Sequence, residues 1–357
     1  MEERLVRPSG SFVLEQRSHR VVFGRPISDV LTTELAALGF ERILLVTTPG
    51  NETLLQGLIV RSMPGISLYT FTEVVPHVPE HVVEKGIRFA EEIRADGIIA
   101  FGGGSSLDTA KAISHKIGVS ILAIPTNFSG SEVTPNFGIS SDGFKRGVFD
   151  NAVLPRTVIY DPSLLNTLPD SVAVCSGINA VAHAVEAMYA PEANPLTVSL
   201  AETGIRKMIA GLRKRDNKEA WTIDAFTGSW LCGEVLSQVG MGLHHRICHV
   251  LGGSFGLPHA EVHTIVLPYS IAFNFDHTPV LKSLTDLFPN QTLWAGMAAF
   301  STSLGAPASL KDVGFSKDGI EEAVQLAMRG AIANPREVGE ADIRSIIQQA
   351  FAGELVR

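Results

Sequence analysis

The spacing of apolar residues changes character once along this chain, near residue 162, and that change limits its fold more than any other feature. Before it, short apolar runs alternate with amphipathic ones. Residues 20–24 (RVVFG), 42–49 (RILLVTTP), 66–71 (ISLYTF), 96–104 (DGIIAFGGG), 119–126 (VSILAIPT) and 156–162 (RTVIYDP) read as strands. Residues 29–40 and 79–95 carry helical spacing. Strands that alternate with helices pair in parallel, which predicts a doubly wound, Rossmann-like α/β unit. Beyond 162, apolar residues recur at three- and four-residue intervals, punctuated by Pro and Gly, and the expectation is all-helical. The predicted division is a dinucleotide-binding α/β domain over 1–162 and an all-α substrate and catalytic domain over 163–357. A chain of 357 residues suits two domains.

With 45% hydrophobic and 18% charged residues, the chain can bury a large core. A net charge of −8 without a basic stripe argues against a nucleic-acid partner. Cys175, Cys232 and Cys248 are odd in number and widely spaced, so they are expected to pack as small apolar side chains, not as a disulfide framework. Residues 1–12 lack the apolar core of a signal peptide. No apolar run reaches the ~20 residues that span a bilayer. A cytoplasmic enzyme without a membrane partner is expected.

In AFGGGSSLDTAKAI, Gly102, Gly103 and Gly104 end a strand and open a helix. Glycines let backbone N–H groups approach an anion, and a helix start presents unpaired donors to phosphate. Ser105 can cap or donate there. Asp108, one turn in, has two readings: a first-turn carboxylate, or a contact to ribose or nicotinamide. A second strand-to-loop segment, AIPTNFSGSEVT, brings Thr126, Asn127, Ser129 and Ser131 toward the same crevice at the carboxyl ends of parallel strands. The strand over 42–49 ends in Thr47 and Thr48, with no carboxylate to repel a 2′-phosphate, so tolerance of both NADH and NADPH is expected.

Five histidines crowd GLHHRICHVLGGSFGLPHAEVH: His244, His245, His249, His259 and His263. His245 and His249 share a helix face, as do His259 and His263, and as do Asn179 and His183 upstream. An aspartate at 179 would complete a set for a divalent first-row metal; a neutral asparagine weakens the attraction for such an ion. Arg246 points roughly 100° around the helix from His245. It reads either as a carboxylate anchor or as a salt-bridge partner. His77, after a strand, could reach the substrate. His244, His19, His81, His115 and His277 read as structural or exposed.

These motifs resemble, over nearly the full chain, the iron-containing (group III) alcohol dehydrogenase superfamily, whose architecture is similar to that of dehydroquinate synthase. The resemblance implies that the GGGS turn binds pyrophosphate. It also implies that Asn179, His183, His245 and His259 occupy the metal-holding positions, and that His249 lies near nicotinamide and substrate. PTNFSGSE, NAVAHAVEA with Asn for Asp, the histidine stretch and NPREV are similar to the maleylacetate reductase branch. That likeness implies a homodimeric, metal-independent reduction of maleylacetate to 3-oxoadipate, a small dicarboxylate reaction of aromatic degradation, with 2-halomaleylacetates as further substrates.

The expected roles are proton transfer and charge stabilisation by His245 and His249, with His183 and His259 lining the pocket. His77, Asn179, Arg246 and His263 are expected toward the substrate. A metal-dependent alcohol or polyol dehydrogenase is the alternative on the same scaffold. A lyase or cyclase of the dehydroquinate synthase type would want more Lys and Arg near the site. A non-catalytic nucleotide-binding module sits poorly with so many titratable groups on adjacent helices.

Overall fold

A computed structural model of the protein describes residues 18–355, together with 12 and 14, apart from 63–64, 142–143 and 216. The segment 1–11, which bears most of the signal-peptide reading, lies outside the described residues. Strands β1 (Arg20–Phe23), β2 (Arg42–Thr47), β3 (Ser67–Phe71), β4 (Gly97–Gly102), β5 (Ser120–Pro125) and β8 (Thr157–Tyr160) form one sheet, and they match the six expected strand segments. Helices α1 (Ile27–Leu38), α2 (Glu52–Ser62), α3 (Glu80–Glu92) and α4 (Gly104–Ile117) cross between them.

The sheet order is β1-β8-β5-β4-β2-β3, and every pairing is parallel. The chain leaves β2 outward to β3 and returns to β4 on the other side of β2. A crevice therefore opens at the carboxyl ends of β2 and β4, where open α/β sheets hold ligands. Both faces of the sheet are covered. Ile43, Leu45, Ile99, Phe101 and Leu122 pack on α1 and α2, while Leu44, Val46, Ile98 and Ala100 pack on α3 and α4. Complete burial of each aliphatic side chain is worth ~1.5–3 kcal/mol, which explains why the central strands read as unbroken apolar runs.

Two elements escaped the sequence reading. Helix α2 carries Gly57 at its centre. The antiparallel hairpin of β6 (Asn136–Ser141) and β7 (Phe144–Phe149) is interrupted by Gly138 and Gly147, which blur its alternation. The hairpin leans on the sheet unit through Ser140, whose N–H donates to the Val78 carbonyl at 3.0 Å and whose Oγ donates to the His77 carbonyl at 2.7 Å. His77 and Val78 both adopt left-handed backbone, with φ of 65° and 50°. The tight corner they make at the end of the β3–α3 link is a strained one.

After Tyr160 the regular elements are helical: α5 (Asp170–Ala187), α6 (Pro195–Arg213), α7 (Lys218–Leu236), α8 (Leu243–Phe255), α9 (His259–Asn274), α10 (Leu293–Ser303), α11 (Ile320–Ala327) and α12 (Glu340–Ala352). Helix α5 is buried at every position from Ala173 to Ala187 and packs against α6, α7 and α9. One apolar cluster runs from Leu44, Val46 and Ile98 of the sheet through Ile178 of α5 to Phe226 of α7. A second joins α8, α9, α11 and α12. No described helix is long and apolar enough to cross a membrane.

Helices α6 and α7 approach closely because Gly211 and Gly228 lie in their contact. A Cβ at Gly228 would stand 2.5 Å from the Met208 backbone nitrogen. G228A is expected to lower stability by roughly 1–3 kcal/mol, since main chain cannot give way as a side-chain tip does. Urea denaturation should show a lower midpoint at unchanged m-value.

Candidate active site

The glycine turn is shaped by close contact with the loop that follows β5. Gly102 has a φ of 144°, which suits only glycine. A Cβ on Gly103 would lie 2.3 Å from Asn127 Nδ2, and one on Gly104 would lie 3.3 Å from Ser129 Cβ. The Thr126 N–H donates to the Gly102 carbonyl at 3.1 Å. Helix α4 starts at this turn without a side-chain cap, so its first N–H groups are available to an anion. On one side lies a cavity of about 770 Å³, reached by Gly104, Ser105, Asp108, Asn127, Ser129 and Ser131. On the other lies a pocket of about 260 Å³ that includes Gly50, Asn51, Phe101 and Thr126. The chain's elongated crevice, with a bare helix start between two hollows, fits a dinucleotide. Thr47 is fully buried beneath it, and Thr48 Oγ1 accepts from Asn51 Nδ2 at 3.0 Å.

Asp108 lines the large cavity, but both of its oxygens have protein partners. Oδ1 accepts from Ser131 Oγ at 2.6 Å and Oδ2 from the Gly138 N–H at 3.2 Å. Of its two expected readings, the structure favours neither a cap nor a free ligand contact: the residue ties the loop and the β6–β7 hairpin to α4. Ser131 is likewise engaged. Lys111, one turn further and overlooked in the sequence, completes the tie. Its fully buried Nζ donates to the Ser131 carbonyl, to Ser131 Oγ at 2.8 Å, to Thr134 Oγ1 at 3.2 Å and to the Asn136 carbonyl at 2.8 Å. Burial pulls its pKa down to about 8 against the opposing charges of Asp108 and Glu132. A lysine three residues after an aspartate on one helix was the available signal.

Across the cavity, α5, α8 and α9 present Asn179, His183, His245, His249 and His259, and His77 closes the opposite wall. The His183 and His245 rings stack with centroids 5.0 Å apart, and those of His249 and His259 stack at 6.2 Å. His183, His245 and Asn179 are buried. Asn179 Oδ1, His183 Nδ1 and His245 Nε2 have no hydrogen-bond partner in the protein, which is costly unless a bound group or water meets them.

Two expected substrate contacts are corrected. Arg246 directs its guanidinium to the carbonyls of Arg329 and Ala331, at 2.8 and 3.2 Å, and does not line the cavity, because helix geometry turns it away from His245. His263 is fully buried behind His245, with ring centroids 4.7 Å apart, and its Nδ1 meets His244 Nε2 at 3.0 Å. His244 is a core residue, as expected, and contacts Ser270 Oγ at 3.2 Å. His19 pairs with Glu234 and His115 with Asp150, and neither lines the cavity. The three cysteines are free and buried.

A second residue that the sequence reading missed is Glu186. It lies one turn after His183 on α5 and is 1% exposed. Its Oε1 accepts from the His244 N–H at 2.7 Å; its Oε2 accepts from the Gly242 N–H at 3.0 Å and contacts His245 Nδ1 at 2.6 Å. Burial alone would raise its pKa. The hydrogen bond and charge of His245, then His244 and the Gly242 N–H, outweigh it and hold the carboxyl down at about 2. An acid inside an apolar helical pattern gives no sign of its partner when the partner lies some sixty residues on.

The model of the iron-containing alcohol dehydrogenase matches residues 18–162, and that of the Fe-containing alcohol dehydrogenase family, C-terminal, matches 173–351. The chain belongs to the iron-containing alcohol dehydrogenase family. Within that family it is 37% identical over 352 residues to the maleylacetate reductase of Pseudomonas sp. (strain P51), covering 96% of this chain and 99% of that one. It is 38% identical over 350 residues to that of Burkholderia cepacia, covering 96% and 98%. The crystal structure of maleylacetate reductase from Agrobacterium tumefaciens superposes with a TM-score of 0.90 at 36% identity, covering 96% of this chain and 99% of that one.

The family's metal invites a test of the donors. His244, His245 and His263 offer nitrogens within 4.8 Å of one another, yet His244 Nε2 and His263 Nδ1 already face each other. At the family's metal-holding positions stand a neutral amide and imidazoles. The adjoining carboxylate, Glu186, is occupied by N–H donors. This set has a neutral amide at position 179 and no free carboxylate, so its attraction for a divalent ion is weaker than that of a set with an anionic ligand.

Burial, then neighbouring imidazoles, push His183 and His263 well below the ordinary 6.5, and burial takes His244 to about 3. Rings neutral in the fold but protonated in the unfolded chain withdraw stability as pH falls below 6.5. Each contributes up to about 1.4 kcal/mol per pH unit. Urea unfolding should therefore show full stability above pH 7 and a decline from pH 6.5 to 5, shallower in H263Q than in wild type.

Proposed function

We propose that this protein reduces the carbon–carbon double bond of maleylacetate to give 3-oxoadipate, using NADH or NADPH and no metal. The observation that carries the reading is the cavity itself: a phosphate-type helix start faces a wall of imidazoles in which Asn179 replaces the acid of metal-holding relatives. The similar chains that bear the name maleylacetate reductase support the substrate class. In this reading, residues 1–162 hold the cofactor and 163–357 supply the chemistry, in a cytoplasmic homodimer.

Gly102, Gly103, Gly104 and Ser105 would hold the pyrophosphate, and Thr126, Asn127 and Ser129 would line its path. Thr47 and Thr48 present no carboxylate to a 2′-phosphate. A reduced nicotinamide held there would supply a hydride to one carbon of the conjugated C=C bond. The π electrons of that bond move onto the substrate's carbonyl oxygen as an enolate. His245 and His249 stabilise that charge and return a proton to the other carbon. Donors at a developing oxyanion contribute ~3–4 kcal/mol, and general acid catalysis about 10²–10⁴-fold. No Lys or Arg lines the cavity among the described residues, so the substrate carboxylates are met by His77, His183, His259 and the amide of Asn179.

The second reading, a metal-dependent alcohol dehydrogenase, is favoured by the unpartnered Asn179 Oδ1, His183 Nδ1 and His245 Nε2. One assay separates the two. EDTA-treated enzyme should oxidise NADH with maleylacetate at its untreated rate and ignore simple alcohols and aldehydes. With NADPH, kcat/KM should lie within about 100-fold of the NADH value. Loss of activity restored by Fe²⁺ or Zn²⁺ would select the second reading. N179D should raise Zn²⁺ affinity at least roughly tenfold by adding a charge to the set, as read by calorimetry.

A further inference from the structure

Glu186 performs two tasks with one carboxylate, and both fall on the first turn of α8. That helix has Gly242 as its N-cap, which supplies no side chain to close the turn. Glu186 reaches over from α5 and accepts from the Gly242 and His244 N–H groups in its place. The same Oε2 that takes the Gly242 N–H lies 2.6 Å from His245 Nδ1. An ionised carboxylate accepts and cannot donate, so Nδ1 must carry a hydrogen. The ring is thereby held with Nε2 as its other nitrogen, buried and without a protein partner, on a side chain that lines the cavity. The stacked His183 ring, 5.0 Å away, blocks one face of that imidazole.

We propose that Glu186 is the positioning residue of the reaction: it fixes the tautomer and orientation of His245, so that Nε2 is the atom that exchanges a proton with substrate. The proposal rests on the reading above that His245 faces the reacting bond. In the reductive direction, the Nε2–H bond of the imidazolium breaks and a C–H bond forms at the substrate carbanion carbon. The ring is left neutral with its Nδ1 hydrogen still on Glu186, and solvent returns the Nε2 proton. Glu186 itself neither gains nor loses a proton. Both of its oxygens already accept from N–H groups, of Gly242 and His245 at Oε2 and of His244 at Oε1, so it serves as an acceptor throughout.

The test is a double-mutant cycle with an independent spectroscopic readout. E186Q keeps one acceptor, for the His244 N–H, and turns an amide NH₂ toward His245 Nδ1 and the Gly242 N–H that shared Oε2. This favours the opposite tautomer. In other enzymes, the matching carboxylate-to-amide change beside a catalytic histidine costs about 10⁴ in kcat. Here kcat with maleylacetate should fall roughly 10²–10⁴-fold while KM for maleylacetate stays within about threefold. In an H245Q background, E186Q should change kcat by less than about threefold, because the residue through which it acts is gone. ¹⁵N-histidine spectra, with His245 assigned by its loss in H245Q, should show the Nδ1–H form in wild type and the Nε2–H form in E186Q.

Additive losses in kcat across the cycle, or an unchanged His245 tautomer in E186Q, overturn the proposal. If the tautomer switches as expected but wild-type enzyme does not turn over maleylacetate, the functional reading fails and the positioning of His245 stands.

Discussion

A buried negative charge organises the wall of this cavity. Glu186 holds three N–H groups from the start of α8, and through them it sets where His245 stands and how α8 meets α5. Around it the imidazoles of His183, His244 and His263 are kept neutral by burial and by one another. Kept neutral, the rings do not repel one another as cations would. The one carboxylate beside them is satisfied by hydrogen bonds on both oxygens, which is what its burial in a helical core requires.

On the opposite wall a buried cation does the equivalent work. Lys111 gathers Ser131, Thr134 and Asn136, while Asp108 holds Ser131 and Gly138. The loop after β5 is thus pinned to α4, which places Asn127 against the Gly103 backbone. Each wall thus has a buried ionised residue, Lys111 on one and Glu186 on the other, that is absent from the cavity lining. The two charges have opposite sign, and each lies behind the groups that line the cavity.

Much of this was legible in the sequence. The central parallel strands β2, β4, β5 and β8 were visible because both of their faces are buried, so the apolar runs are continuous; the edge strands β1 and β3 are only partly buried and were legible from their short apolar runs. The glycine turn and the paired helical histidines were visible because local spacing encodes them. What local spacing cannot encode is a partner far along the chain. Glu186 looked like a helical acid, and its partners lie at 242–245. Arg246 was open to misreading because its carbonyl partners come from 329 and 331. His263 shares a face with His259, yet it lies one turn further along α9, buried behind His245. The β6–β7 hairpin was lost because two glycines interrupt a pattern that is only half-buried.

The apolar cluster that links Leu44 and Ile98 to Ile178 and Phe226 carries a consequence for how the molecule comes apart. The sheet half and the helical half share this one buried core. Prying them open as rigid lobes would wet a surface that contributes to the stability of both. Loss of one half therefore weakens the other, which couples their unfolding.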